Sequence, residues 1–146
     1  MLSASKKIII DTGFLVALFN SEDDLHDEAT KVAKRITHLE WNTTPFVVQE
    51  IFWLLSKRKN YHVALGFLQK IGIILVMPNL PRDWFEQIAK ILSQYSPAKI
   101  DLADASLVVL ADLLKIGDIV SVDRKDFSIL RWNAGKKHFH NLMDDK

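Results

Sequence analysis

The sequence predicts an α/β fold in which helices cover both faces of a mainly parallel sheet. Short strand patterns alternate with helical patterns along the chain, which is the order of elements in α/β folds. The strands are apolar at consecutive positions, as in Ile8-Ile9-Ile10 and Ile119-Val120, which is typical of strands buried on both faces. A chain of 146 residues with 49% apolar residues is long enough to build one hydrophobic core. We therefore expect a single domain over residues 1–146.

The helical segments are defined by apolar periodicity and by residues that begin or end helices. Asp23 or Asp24 is suited to cap the second helix, Pro45 suits the first turn of the third, and Gly117 follows the longest one. Helices are predicted over residues 14–20, 25–39, 46–58, 61–70, 81–95, 99–115 and 126–130.

The strand segments are short and lie between residues that favour turns. Gly72 precedes the third strand pattern and Pro78 closes it. Strands are predicted over residues 8–10, 41–44, 73–77, 119–123 and 139–142, the last of them at an edge of the sheet.

Composition excludes several classes of protein. The chain has no cysteine, so disulfides and thiolate metal sites are excluded, and a reducing cytoplasm is the expected location. Asp11 interrupts the apolar run near the N-terminus, which argues against a signal peptide, and no segment is long enough to cross a bilayer. A formal net charge of +1 argues against a generic basic coat for nucleic acids but leaves room for a local basic rim.

Four acidic residues occupy positions that acids usually avoid. Asp11 and Asp123 each end an apolar strand pattern, and Glu50 and Asp104 interrupt apolar helix faces. A carboxylate buried alone in such a place costs several kcal/mol unless it is paired or bound to metal. Asp101 shares part of the helix face of Asp104, but the positions in line with it along the helix turn toward solvent. We therefore expect Asp101 to contribute less to the site than Asp104.

Each acid taken alone has a structural explanation. Asp11 could simply cap the following helix, and a buried ion pair with Lys57, Arg58 or Lys99 could neutralise another acid. The four together favour a metal site, because neighbouring parallel strands would bring them to one edge of the sheet. Oxygen ligands without cysteine favour Mg²⁺ or Mn²⁺ over zinc, and such ions activate water for attack on phosphodiesters.

Several short motifs occur in an order and spacing that define a known family. They are Asp11-Thr12, the mid-helix Glu50, Asp104-Ala105-Ser106-Leu107, Ser121-Val122-Asp123 and Asp126-Phe127. With them the chain resembles the PIN domain, the nuclease fold of VapC-type toxins, from the first strand to about residue 142. The resemblance implies a three-layer α/β/α fold with a five-stranded sheet in the order 3-2-1-4-5. It also implies a Mg²⁺- or Mn²⁺-dependent endoribonuclease and often a homodimer.

The resemblance also assigns roles to residues of this chain. Asp11 and Asp104 would be the principal metal ligands, and Glu50 and Asp123 would complete the catalytic site directly or through water. The hydroxyl residues Thr12 and Ser121 match positions beside the metal, whereas Asp101 matches no required position. RNA is the implied substrate. An antitoxin protein is the implied partner if the chain is the toxin of a toxin–antitoxin pair.

Other classes of protein fit less well. Apolar residues followed by Asp-Thr-Gly also occur in retroviral-type aspartic proteases, but those are all-β proteins, whereas this chain has several strong helices. A phosphoacceptor receiver domain would need paired acids after the first strand, which are absent here. The alternative that stays open is the same fold with a weakened site, which would act only by binding RNA or protein.

Basic and aromatic residues outside the acids are candidates for RNA contact. Arg58, Arg124 and Lys125 are predicted to hold the phosphate backbone, although a basic residue taken alone is more often a solvated surface residue. Three tryptophans are as compatible with the core as with base stacking: Trp53, Trp84 and Trp132.

Overall fold

A parallel sheet of four strands forms the centre of the computed structural model, which describes residues 6–145. Residues 6–145 contain six strands, four of them in this sheet. They are β1 (Lys7–Ile10), β2 (Glu40–Asn42), β3 (Asp118–Val120), β4 (Arg131–Trp132), β5 (Lys137–His138) and β6 (His140–Asn141). The sheet has the order β2-β1-β3-β6, and β4 and β5 form a separate antiparallel hairpin. Ile8, Ile9 and Ile10 are fully buried. The predicted α/β class is confirmed, and the two strand patterns that lead into acids are neighbours.

Seven α-helices flank the sheet within residues 6–145. They are α1 (Thr12–Phe19), α2 (His26–Arg35), α3 (Pro45–Arg58), α4 (Tyr61–Ile74), α5 (Trp84–Gln94), α6 (Leu102–Leu114) and α7 (Arg124–Ile129). Side chains accept hydrogen bonds from the first turn of five of them, and these N-caps are Asp11, Thr44, Asn60, Asp101 and Asp123. Helix α6 packs against β1, α3 and α5. Every predicted helix is present, although α2 ends at Arg35 and not at residue 39.

The strand predicted over residues 73–77 is reduced to a single bridge, and the prediction of five full strands is wrong in this respect. Helix α4 continues through Gly72 to Ile74, since a glycine inside a helix costs only about 1 kcal/mol. Only Val76 pairs with β2, through a bridge to Asn42. Its position beyond β2 is where the third strand of the order 3-2-1-4-5 belongs. The expected arrangement is therefore present with a rudimentary third strand.

Gly117 has a different role from the helix stop that the sequence suggested. Helix α6 ends at Leu114, and Lys115 adopts the left-handed conformation (φ 58°) and caps the helix. A Cβ atom on Gly117 would lie 2.1 Å from the indole nitrogen of Trp132. That indole nitrogen donates a hydrogen bond to the carbonyl of His138, across the β4–β5 hairpin. The glycine is therefore required by the hairpin, which the sequence analysis did not predict.

Among residues 6–145, no helix is both long and apolar enough to span a membrane.

Candidate metal centre

Asp11 lies at the point where β1 meets α1, and it is almost completely buried. Its Oδ1 accepts a hydrogen bond of 2.6 Å from the backbone N–H of Thr12, so the residue caps α1 as the simpler explanation proposed. Its Oδ2 accepts a second bond of 2.6 Å from the hydroxyl of Ser121, which follows β3. The hydroxyl oxygen of Thr12 is buried and has no hydrogen-bond partner within residues 6–145. The cap and the candidate site therefore use the same carboxylate.

Ser121 connects the two acids that follow the neighbouring strands. Its hydroxyl donates to Asp11 and accepts a bond of 2.9 Å from the backbone N–H of Asp123. Asp123 lies three residues beyond the end of β3 and caps α7, where its Oδ1 accepts from the N–H of Asp126 at 3.0 Å. One buried hydroxyl thus fixes the separation of two chain segments that carry site residues.

Asp104, Asp123 and Asp126 form a compact group of carboxylates. One oxygen from each lies within 4.8 Å of the others, which is close enough for a single cation to contact all three. Asp104 lies in the first turn of α6 and is only 4% exposed. Its Oδ2 is buried and, among residues 6–145, has no hydrogen-bond partner. A buried carboxylate oxygen without a partner is costly, and a divalent cation would satisfy it.

Glu50 and Asp101 line one groove, and the charge of Asp101 also acts on Asp104. Glu50 projects from the middle of α3, and Asp101 caps α6 by accepting a bond of 2.8 Å from the N–H of Asp104. Asp101 is exposed, as its predicted place on the solvent side of the helix indicated. It caps α6, however, and is not a residue within the helix. Its charge is the largest electrostatic influence on Glu50 after burial. Asp101 is therefore nearer to the centre than the sequence suggested.

Burial and mutual repulsion raise the pKa values of these acids. Burial raises the pKa of Asp11 to about 6, although hydrogen bonds from Ser121 and Thr12 oppose the shift. Burial, followed by the charges of Asp101 and Asp11, raises the pKa of Glu50 to about 7. The pKa of Asp104 is raised far more strongly, by burial and then by the charges of Asp11 and Asp101. Repulsion of this kind is relieved when a cation binds.

The ion pairs within residues 6–145 do not involve these acids. The lysine and arginine pairs there join Lys59 to Glu22, and Arg124 to Glu28 and Asp144. The buried ion pair that was the alternative for each acid is therefore not found in this part of the chain. The charge of Arg58 also acts on Glu50, where it lowers the pKa against the other influences.

The predicted RNA-binding residues differ in their surroundings. Arg58 lines a cavity of 550 Å³ together with Gly13 and Val122, next to the strand ends that carry the acids. Arg124 instead donates to Glu28 at 2.9 Å and to the carbonyl of Met143 at 3.2 Å, and pairs with a further acid near the C-terminus. Arg124 thus ties α7 to α2, and its contact with RNA stays a prediction. Lys125 is exposed, and its contact with RNA stays a prediction.

Two residues of the site were missed by the sequence analysis. Asp126 was noted only as part of a motif, and its spacing of three from Asp123 is the helix-cap spacing that could have found it. Asn141 lies in β6, where its Oδ1 accepts from the N–H groups of Ser121 (3.1 Å) and Met143 (3.0 Å). Its Nδ2 donates to the carbonyl of Ser121 at 2.8 Å. Asn141 therefore holds the peptide whose hydroxyl links Asp11 to Asp123.

The fold and the acidic centre together define a protein of the PIN type. The family model of the PIN domain matches residues 8–132, which include β1 to β4 and the acids described above. The chain therefore belongs to the PIN domain family.

Comparisons with individual proteins lead to the same group. Ribonuclease VapC26 of Mycobacterium tuberculosis is 31% identical over 125 residues, which are 85% of this chain and 92% of the relative. The crystal structure of Mycobacterium tuberculosis VapC20, a sarcin–ricin loop cleaving toxin, superposes with a TM-score of 0.70 at 21% identity and covers 82% of this chain and 92% of its own. VapBC2 from Rickettsia felis, bound to a DNA fragment from its promoter, gives a TM-score of 0.63 at 12% identity, with 92% and 97% covered. The two solved structures establish the likeness of the fold.

Proposed function

We propose that this PIN-domain protein is a Mg²⁺- or Mn²⁺-dependent endoribonuclease. The observation that carries the proposal is the buried Oδ2 of Asp104, which lacks a partner within residues 6–145 and belongs to a group of three carboxylates. The likeness to ribonuclease VapC26 supports RNA as the substrate. The all-oxygen set of side chains fits a hard divalent cation.

The residues divide the work of hydrolysis between holding a cation and moving a proton. Asp104, Asp123 and Asp126 would hold the cation, with Asp11 beside them. When bound, the ion supplies charge stabilisation at the phosphate and lowers the pKa of water. Glu50, in the groove that it shares with Asp101, would accept a proton from the attacking water as its carboxylate.

The test is cleavage of a labelled single-stranded RNA by the purified protein. We expect cleavage in Mg²⁺ or Mn²⁺ and none in excess EDTA, and we expect Asp11→Asn and Asp104→Asn to abolish it. Asp27→Asn, an exposed acid in the first turn of α2, is the matched control and should cleave like the wild type. Full activity in EDTA would exclude the metal mechanism. An inactive wild type that still binds RNA would support the alternative of a binding module.

We further propose that the protein is the toxin of a toxin–antitoxin pair and forms a homodimer. The proposal is supported by the likeness to VapC proteins. Helix α4 exposes apolar side chains, including Ile73 at 87%, which a protein partner would cover. Co-expression with the neighbouring gene tests the pairing. A neighbouring product that neither co-purifies with the protein nor inhibits cleavage would contradict it, and light scattering measures the oligomeric state.

A further inference from the structure

Trp53 is the tryptophan that this fold leaves most open to solvent. Its exposed fraction is 57%, whereas Trp41, Trp84 and Trp132 are partly buried against other side chains. A large aromatic side chain exposed to this degree contributes little to the core and is free to contact a ligand. The three tryptophans that the sequence could not separate are therefore distinguished by the structure.

The position of Trp53 places it beside the candidate active site. It follows Glu50 by three residues on α3, and residues so spaced share one face of a helix with Cβ atoms about 5–6 Å apart. Trp53 and Glu50 line one groove of 340 Å³, together with Phe46, Asp101 and Leu102. Leu102 is itself 44% exposed, so the groove has an apolar floor next to two carboxylates.

The charges around Trp53 favour a nucleic acid as its ligand. The ammonium of Lys57 lies 6.0 Å from the centre of the indole ring, and Arg58 follows it at the end of α3. Aromatic rings flanked by cations are the usual means by which proteins bind single strands, because bases stack on the ring while cations contact phosphates. An apolar protein surface over this groove would instead bury Glu50 and Asp101 without counter-charges, which is costly.

We propose that Trp53 forms a stacking subsite for an unpaired base of the RNA, next to the phosphate that is cleaved. The subsite rests on the proposed ribonuclease function and deepens it, since it selects RNA whose bases are free to leave a helix. Lys57 contacts the backbone phosphate beside that base. A paired base in a duplex cannot present its face to the indole, so the subsite discriminates against double-stranded RNA.

Binding to defined oligonucleotides tests this proposal. Fluorescence anisotropy is measured in Mg²⁺ in an Asp11→Asn background, which prevents turnover, with a labelled unpaired RNA and with the same strand carrying abasic residues. Base–aromatic stacking is worth about 1–3 kcal/mol per base, so Trp53→Ala should weaken binding of the unpaired RNA roughly 5- to 150-fold. Trp53→Phe should weaken binding of the unpaired RNA less than Trp53→Ala does. On the abasic strand, the Trp53→Ala variant should bind as well as its parent.

Tyr61 provides the matched control. It is 61% exposed, and it packs on Phe52, which points away from the Glu50 face of α3. Tyr61→Ala should leave binding unchanged. Unchanged binding by Trp53→Ala, or an equal loss on the abasic strand, overturns the proposal. Light scattering that shows Trp53→Ala converting a dimer to a monomer assigns the groove to a second copy of the chain and also overturns it.

The stacking subsite and the proposed ribonuclease function can fail independently of each other. A wild-type protein that binds unpaired RNA through Trp53 but does not cleave it in Mg²⁺ or Mn²⁺ contradicts the nuclease and keeps the subsite. A wild-type protein that cleaves RNA, with Trp53→Ala binding and cleaving equally well, contradicts the subsite alone.

Discussion

Replacement of Asp104 by asparagine should stabilise the metal-free protein. The substitution replaces an ionisable carboxyl group by a neutral amide of nearly the same volume, in a side chain that is 4% exposed and surrounded by other acids. Asp126, whose carboxylate lies within 4.8 Å of that of Asp104, also favours the protonated form of Asp104. The amide of asparagine is neutral without a proton taken from solvent. The variant should therefore avoid a cost that the wild type bears.

The size of this cost follows from the pKa of Asp104. The folded protein holds the proton at pH 7, whereas the unfolded chain, with a pKa of 3.8, has released it. One pKa unit corresponds to about 1.36 kcal/mol, so the interval from 3.8 to 7 gives an upper bound of about 4 kcal/mol. Relaxation around the charged form reduces the bound, and we expect Asp104→Asn to raise the free energy of unfolding in EDTA by about 1–3 kcal/mol.

The dependence on pH has a definite sign. A pKa raised by folding contributes stability that is complete below the unfolded value and is lost as the pH rises through the folded value. Folding raises the pKa of Asp104, that of Asp11 to about 6 and that of Glu50 to about 7. His140 shifts in the same direction, because Asp145 and Asp118 favour its charged form. The metal-free wild type should therefore lose stability from pH 5 to 7, and the difference between wild type and Asp104→Asn isolates the contribution of Asp104.

The free energy of unfolding is measured by urea or thermal unfolding, in EDTA and in Mn²⁺, at pH 5 and at pH 7. A cation that binds only the folded state adds about 2.7 kcal/mol at one hundred times its Kd, so the wild type should recover in Mn²⁺ more than the variant. Asp27→Asn should leave the melts unchanged. If the variant unfolds well below the wild type in EDTA, by the roughly 3–5 kcal/mol of a broken buried ion pair, the metal-site interpretation of Asp104 is wrong.

Three further substitutions test separate parts of the site. Asn141→Ala removes the two hydrogen bonds that hold the linking serine and a third from the N–H of Met143. It should lower kcat and weaken Mn²⁺ binding while KM for RNA stays near the wild-type value, and a change in KM alone would contradict this role. Arg58→Glu should weaken RNA binding and flatten its salt dependence, whereas Arg124→Glu should destabilise the fold and leave the salt slope unchanged; equal slopes for both would refute the distinction. Gly13→Ser should lower the melting temperature, because a Cβ atom there would lie 2.1 Å from Cγ2 of Val122, and recovery in the double variant with Val122→Ala would identify this clash as the cause.

The fold class was accessible from the sequence because apolar strands and periodic helices are local signals. The boundary of α4 was not, since Ile73 and Ile74 favour strands by their branching but continue a helix already under way. The β4–β5 hairpin was also missed. Its turn uses Asn133 and Ala134 in left-handed conformations, and the indole of Trp132 is positioned by Gly117, a contact between residues distant in sequence.

The residues of the candidate site could likewise be predicted from the sequence only where the signal is local. Acids in apolar surroundings were visible one by one, because a charge within an apolar pattern is unusual at any position. Arg124 and Lys125 are neighbours with the same charge, and only tertiary contacts show that Arg124 is engaged by acids. The contribution of Asn141 depends on β6 lying beside β3, which no local pattern encodes. Residues that act by positioning others are therefore harder to find than residues that act directly.

The role of β6 also affects when the site can form during synthesis. The acids come from segments separated by most of the chain, and the hydrogen bonds that fix Ser121 are made by a residue 20 positions later. A ribosome translates the N-terminal strand first, so Asp11, Glu50 and Asp104 leave it before the strand that orders their neighbour. A nascent chain that has not yet released residue 141 lacks this support. Assembly of the acidic centre is thus coupled to the emergence of β6, which follows every acid of the centre along the chain.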